Sequence, residues 1–228
     1  MSDFVIEPPH QAYVPVGGGG RFPVRRIYCV GRNYAEHARE MGHDPSEAPP
    51  FFFGKPADTL VLDGHAMPYP SETADLHHEI ELVAAIGQGG ADIAVDNALD
   101  YVWGYAVGLD MTRRDRQADA KKGGRPWDMA KGFDHSAPIG SIAPSHVIGH
   151  PGRGSIALSV NGAIRQQGDI ADMIWDLPHV IASLSHWVEL RPGDLIFTGT
   201  PAGVGPVVRG DRLDGEIAGI GTVTTTIA

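Results

Sequence analysis

Between Leu76 and Gly87 the chain reads Leu-His-His-Glu-Ile-Glu-Leu-Val-Ala-Ala-Ile-Gly. Polar and apolar positions alternate from Glu79 to Leu82, and a β-branched and small apolar run follows, which predicts a strand. Successive side chains of a strand point to opposite faces. Glu79 and Glu81 therefore project together, with Ile80 and Leu82 on the other side. A helix would turn the same two carboxylates about 200° apart. Two like charges side by side repel unless something positive lies between them, and a divalent cation is the candidate. An exposed strand face with two solvated glutamates also fits an isolated Glu-x-Glu.

The same patterning predicts the other elements. Arg26–Val30 is a strand broken by Gly31-Arg32, and Asn33 with Glu36 forms a capping box for a short helix stopped by Gly42. Residues 43–58 are Pro-rich and contain Phe51-Phe52-Phe53-Gly54-Lys55-Pro56; alternation sets Phe52 opposite the other two rings, and at least two of the three are assigned to the core. Beside such a loop the short helix can act as a lid. Thr59–Pro70 is a hairpin turning at Asp63-Gly64. Asp96–Tyr101 is a short helix, Tyr101–Leu109 a strand ending at Asp110, and Thr112–Lys121 a helix with Thr112 and Asp115 as a capping box. Ile156–Val160 is a strand, turned by Asn161-Gly162 into a partner that begins at Ala163. Pro178–Leu190 is an amphipathic helix with Val180, Ile181, Leu184, Trp187 and Val188 inward, which makes His179 and His186 scaffold residues. Arg191–Asp194 turns into the strand Leu195–Thr198, and Asp211–Ala228 gives two more strands. The result is one β-rich α+β domain, residues 23–228, with an N-terminal arm, residues 1–22, that ends in the flexible Gly17–Gly20 run.

Composition narrows the class. The 228 residues suffice for a real core, and 42% hydrophobic with 20% charged residues is ordinary for a globular protein. Thirty glycines and eighteen prolines favour many turns and short strands. No apolar run approaches the length of a membrane span and no signal peptide is visible. Cys29 is the single cysteine, so a reducing cytoplasm is expected. A net charge of -10 argues against nucleic acid. One stretch runs against the acidic trend: Arg113, Arg114, Arg116, Lys121, Lys122 and Arg125 cluster locally, as suits an anionic small molecule or, with Asp115 and Asp119 interleaved, a solvated helix face.

Further residues have a chemical reading. His37 and Glu40 are i,i+3 neighbours, so the carboxylate can fix the imidazole tautomer and raise its basicity, as in a base that activates water; a surface pair is the alternative. Asp110, Arg114, Gln117 and Lys121 fall on one helical stripe, either salt-bridged to solvent or facing a ligand. Lys131 lies among apolar residues, placed to act as an electrostatic catalyst or to snorkel. Gly199-Thr200 can offer a backbone N–H and a hydroxyl to a carboxylate, and no P-loop signature follows.

Five separated motifs agree with one family. Tyr28-Cys29-Val30-Gly31-Arg32-Asn33-Tyr34 with His37 and Glu40, then Glu79-Ile80-Glu81, Gly108–Asp115 with Gln117, Lys131-Gly132-Phe133-Asp134, and Gly199–Gly205 together resemble the fumarylacetoacetate hydrolase family, in order from about Arg26 to the C-terminus. The wording is most similar to its bacterial fumarylpyruvate hydrolase branch, which acts in gentisate-type aromatic degradation. The resemblance implies a mixed β-roll of curved sheets with a few short helices, usually a homodimer. It implies Glu79, Glu81 and Asp110 as ligands of Mg2+ or a similar hard cation, with His77 and His78 beside the site but not ligating. An all-oxygen donor set agrees with this, since it selects Mg2+, Mn2+ or Ca2+ over Zn2+. It also implies catalytic roles for His37, Glu40, Gln117 and Lys131, and substrate contacts at Arg114 and Thr200, to which the Gly199 backbone is added; Arg32 or Arg113 is the expected receptor of a distal carboxylate.

The implied reaction is hydrolysis of a 2,4-dioxo acid, fumarylpyruvate first, to fumarate and pyruvate. Alternatives inside the family are hydrolysis of short acylpyruvates, decarboxylation of oxaloacetate, and isomerisation of 2-oxo acids. A metal-binding scaffold without turnover is the alternative of another class; it leaves Lys131 and the His37–Glu40 pair without a purpose.

Overall fold

The computed structural model describes residues 4–40, 42 and 49–228. Strands dominate. The largest sheet runs in the order Phe51–Lys55, Arg26–Gly31, Asp194–Phe197, Ile80–Ile86, Val102–Leu109, Ala137–Ile139 and Leu60–Leu62, with Ala143–Pro144 also paired to Val102–Leu109. A second sheet runs Ala163–Asp169, Ser155–Val160, Arg212–Ile217, Gly221–Ile227 and Ala66–Met67. Three short strands, Thr112–Arg113, Leu76–His78 and Gly205–Val207, form a third. This is the expected β-rich α+β roll with few helices.

Ile80–Ile86 is buried along its whole length, and the period of two sorts its residues between two cores. Ile80, Leu82, Ala84 and Ile86 join the larger core, with Tyr105, Leu158, Leu184 and Leu213. Val83 and Ala85 join the smaller one, with Ile27, Leu195 and Phe197. Glu81 shares the parity of Val83, so it lies at the end of the smaller core's face. Gly108 is its register partner across the sheet, where a Cβ would meet Phe197 and Val83.

The predicted elements recur with informative departures. The Asn161-Gly162 hairpin forms with both residues at positive φ, 52° and 78°, as a type I′ turn requires. Asp96–Tyr101 is one 3-10 segment, Val95–Tyr101. The strand around Glu79 is interrupted at that residue: Leu76–His78 pairs in the third sheet and Ile80–Ile86 in the first. Thr59–Pro70 is not a hairpin. Asp63-Gly64 does turn, but Leu60–Leu62 pairs in parallel with Ala137–Ile139 and Ala66–Met67 in parallel with Gly221–Ile227, so the turn passes the chain between sheets. The Asp63 carboxylate accepts the Thr224 N–H there.

Both sequence-assigned capping boxes are replaced by tertiary bonds. The Asn33 amide donates to Trp175 O and Thr198 O, both at 2.8 Å, and accepts the Trp175 N–H, so it clamps three segments instead of capping Ala35–Glu40. Gly42 does terminate that helix, at φ 77°. The second helix begins at Arg114; Thr112 donates to Asp110 O, and Asp115 accepts from Thr73 and Ala74. Leu177–Trp187 buries Val180, Ile181 and Leu184 as expected, but Trp187, its last residue, is 78% exposed. Within residues 1–22, Tyr13–Pro15 pairs with Arg21–Pro23 around the glycine run, burying Val14 and Phe22 in the smaller core. Of the Pro-rich stretch, residues 43–48 lie outside the described residues. Phe52 faces the larger core, and Phe51 and Phe53 both meet Trp127, which matches the expected alternation.

Candidate active site

Three strand ends bring carboxylates together. Glu79 fills the strand interruption, Glu81 follows two residues on, and Asp110 ends Val102–Leu109, its N–H bonded to Glu79 O. All three side chains are buried, and ligand oxygens from the three lie within 4.8 Å of one another.

Cations surround them. Lys131 Nζ donates to Glu79 Oε2 at 2.6 Å and Asp110 Oδ2 at 2.7 Å. Arg114 donates to Glu79 Oε1 at 2.6 Å and to Gln117 Oε1 at 2.7 Å. Lys55, fully buried, places Nζ 2.9 Å from Asp110 Oδ1. That contact is an ion pair without hydrogen-bond alignment, and Asp110 Oδ1 accepts no hydrogen bond among the described residues. The Lys55 donors go instead to Met111 O, Lys131 O and both oxygens of Ser136. Lys55 therefore ties the Asp110 strand end to the Lys131 helix.

The charges are unevenly satisfied. Burial pushes Glu79 up, but Lys131 and Arg114 outweigh it and hold the carboxyl far below the usual range. Burial first, then Asp110 and Glu79, push Glu81 well above it, although Glu81 Oε2 accepts the Gly199 N–H at 2.7 Å. Burial opposes the Lys131 charge, yet Asp110 and Glu79 keep it firmly cationic. A buried triad with one carboxylate short of positive charge and one oxygen short of a hydrogen bond fits a hard divalent cation. The donor set contains no thiolate or imidazole, which suits Mg2+, Mn2+ or Ca2+.

A narrow cleft opens above the triad. Its lining contains His37, Arg114, Gln117, Lys131, Thr200 and Arg32 beside the three acids, together with Lys121, Phe53 and Trp127. The Arg114–Gln117–Lys121 stripe thus lines the cleft. His37, from the helix Ala35–Glu40, sets Nδ1 3.3 Å from Glu40 Oε2. Burial lowers its pKa below the ordinary imidazole value, against the pull of Glu79 and Glu40. Glu40 also accepts the Gly203 N–H, which fastens that helix to the 199–205 segment.

Two expected substrate contacts have other work. The Gly199 N–H is spent on Glu81; its φ of 98° aims it there, and a Cβ would lie 2.7 Å from Asn33 Cβ. Gly199 therefore orients a carboxylate of the triad. Arg113 stays outside the cleft, its guanidinium over Phe133 at 4.4 Å and donating to Met129 O. His77 and His78 flank the site without joining the triad: His77 pairs with Asp75, and His78 Nδ1 meets Gln166 Oε1. The Gln166 amide also donates to Thr200 Oγ1 and Pro201 O. Lys55 and Gln166 escaped the sequence reading. A lone lysine inside an aromatic strand is a weak signal for the first, and the second has none.

A model of the C-terminal domain of fumarylacetoacetate hydrolases matches residues 26–228. The chain belongs to the fumarylacetoacetate hydrolase family. Among solved structures it is similar to the fumarylpyruvate hydrolase of Pseudomonas aeruginosa, crystallised with Mn2+ and pyruvate, at 52% identity and TM-score 0.97 over 99% of each chain. Among curated proteins it is 46% identical to the mitochondrial oxaloacetate decarboxylase of Dictyostelium discoideum, over 87% of this chain and 91% of that one. It is 43% identical to the mitochondrial oxaloacetate tautomerase of Arabidopsis thaliana, over 87% and 88%. As a family member it is an enzyme. None of its described helices is long and apolar enough to cross a membrane.

Proposed function

We propose that this enzyme hydrolyses a carbon–carbon bond of a 2,4-dioxo acid, with fumarylpyruvate as substrate and fumarate and pyruvate as products. The observation that carries the reading is the His37–Glu40 contact in a cleft above three buried carboxylates. Decarboxylation and tautomerisation of oxaloacetate need no activated water, whereas hydrolysis does. The likeness to the Pseudomonas aeruginosa enzyme supports the same choice.

Glu79, Glu81 and Asp110 would hold the cation, Mg2+ or Mn2+. When bound, the cation supplies Lewis-acid stabilisation of negative charge on the 2-oxo oxygen. Glu40 holds the Nδ1 proton of His37, which leaves Nε2 to take a proton from water as its oxygen attacks C4. The tetrahedral oxyanion is met by donors held in place beforehand. Gln117 Oε1 is occupied by Arg114, so its amide N–H groups are available, and Lys131 adds positive charge. Each such donor is worth roughly 3–4 kcal/mol by analogy with deletions in oxyanion holes. The C3–C4 bond then breaks, its electron pair passes to the pyruvate enolate, and the imidazolium returns its proton to C3. Arg114 and the Thr200 hydroxyl, whose oxygen already accepts from Gln166, are the contacts for the substrate's carboxylate end.

A second reading is favoured by the curated relatives, which are named for oxaloacetate decarboxylation and tautomerisation. Rates with fumarylpyruvate, acetylpyruvate and oxaloacetate, each with Mg2+ and Mn2+, decide between them. Fastest turnover of fumarylpyruvate is expected. Turnover of oxaloacetate alone would establish the second reading.

A further inference from the structure

Arg32 and Lys121 reach the cleft from separate segments and form no salt bridge there among the described residues. Arg32 sits at φ 60°, disfavoured for a side chain of its size, and its buried Nε has no hydrogen-bond partner among the described residues. Its guanidinium lies 5.4 Å from the Phe51 ring. Phe51 meets Trp127 edge-on at 5.2 Å, and Lys121 Nζ lies 5.2 Å from the Trp127 ring. The two cations thus bracket one aromatic wall. Neither forms an ion pair with a carboxylate among the described residues, while Lys131, Lys55 and Arg114 in the same region all do. Burial first, and then the repulsion of Arg32 and Arg114, bring the Lys121 pKa down to about 8. Two like charges gathered in a partly desolvated cleft, neither of them ion-paired among the described residues, call for an anion.

We infer that Arg32 and Lys121 form a receptor for the second carboxylate of a dicarboxylic 2-oxo acid, with Phe53 and Trp127, which line the cleft, walling the intervening carbons. The inference rests on the proposed substrate class, since the 2-oxo carboxylate end must face the triad for the distal end to reach these cations. It makes Lys121 a specificity-determining residue and leaves Arg113, the expected alternative to Arg32, outside the receptor.

The test separates binding from turnover. 2-Oxopimelate has the seven-carbon length and both carboxylates of fumarylpyruvate but no 4-oxo group, so it cannot be hydrolysed. 2-Oxoheptanoate lacks only the distal carboxylate. Titration calorimetry of the Mn2+-loaded protein should show 2-oxopimelate binding roughly ten- to a hundred-fold tighter, the worth of a charge-assisted hydrogen bond or two. Lys121→Met, on a half-exposed helix face, should cut that ratio, and combination with Arg32→Gln should bring it to within about two-fold of unity. Equal binding of the two acids to the wild type, or an undiminished ratio in Lys121→Met, overturns the receptor. If 2-oxopimelate is preferred but fumarylpyruvate is not cleaved, the receptor stands and the hydrolytic reading falls.

Discussion

His37 Nδ1 stands 3.3 Å from Glu40 Oε2, and the same carboxylate takes the Gly203 N–H. One side chain thus orients the base and fastens its helix. His37→Ala should lower kcat for fumarylpyruvate by about 10²–10⁴, the range for a positioned general base. Glu40→Gln keeps an acceptor and should cost less. Loss of the 2,4-dioxo acid absorbance with Mn2+ measures both, with circular dichroism confirming folded variants. A fully active His37→Ala would remove the water-activation role.

Burial holds the His37 pKa below the ordinary imidazole value. An imidazole accepts a proton only when neutral, that is, above its pKa. The acid limb of kcat/KM, which reports the free enzyme, should therefore fall below about pH 6.5. A limb at or above that value that disappears in His37→Ala would contradict the burial argument. A limb that persists in that variant belongs to another group.

Glu81 is the triad member least compensated by positive charge, pushed up by burial and then by Asp110 and Glu79. Removing its charge should relieve repulsion in metal-free protein and abolish metal binding. Metal-free Glu81→Gln should melt at or above the wild type. Mn2+ at about a hundred times its Kd should stabilise the wild type by about 2.7 kcal/mol and the variant hardly at all. Equal Mn2+-induced shifts in both proteins would exclude Glu81 as a ligand.

The sequence disclosed what local geometry controls. Glu79 and Glu81 converge as the alternation anticipated, although the strand breaks at Glu79; i,i+3 spacing paired His37 with Glu40, and Asn161-Gly162 specified its own turn. Asp63-Gly64 turned as well, but a turn does not choose its strand partners, and those lie in two different sheets. Asn33 looked like a cap because its nearest neighbours suit one. Its true partners, Trp175 and Thr198, stand 142 and 165 residues away, and burial of the amide favoured them. Gln166 likewise reaches Thr200 and His78, 34 and 88 residues away. Buried polar side chains are satisfied wherever the tertiary fold offers partners, and no local pattern records that.

Lys121 gives the proposed receptor a pH dependence of its own. Its ammonium, with a pKa of about 8, faces Arg32, Arg114 and Lys131 as like charges and Glu79 as an opposite one. Protonation is lost as pH rises through that value, so affinity for a second carboxylate should weaken above about 8. The 2-oxopimelate to 2-oxoheptanoate affinity ratio, measured from about pH 6.5 to about 9.5, should decline through this range in the wild type and stay flat in Lys121→Met. A ratio independent of pH in the wild type would detach Lys121 from the distal carboxylate.

Lys55 makes the sharpest stability prediction. Its ammonium is fully buried, 2.9 Å from Asp110 Oδ1, and donates to Met111 O, Lys131 O and Ser136. Truncation leaves a buried carboxylate oxygen and several carbonyls without their cation. Breaking a buried pair from one side typically costs about 3–5 kcal/mol. Lys55→Ala should lose stability of that order in urea unfolding. Asp110→Asn, paired with it in a double-mutant cycle, should recover part of the loss, because the uncompensated charge is then gone. Additive losses would mean that Lys55 acts through the Met111, Lys131 and Ser136 oxygens alone, and that Asp110 is held by Lys131.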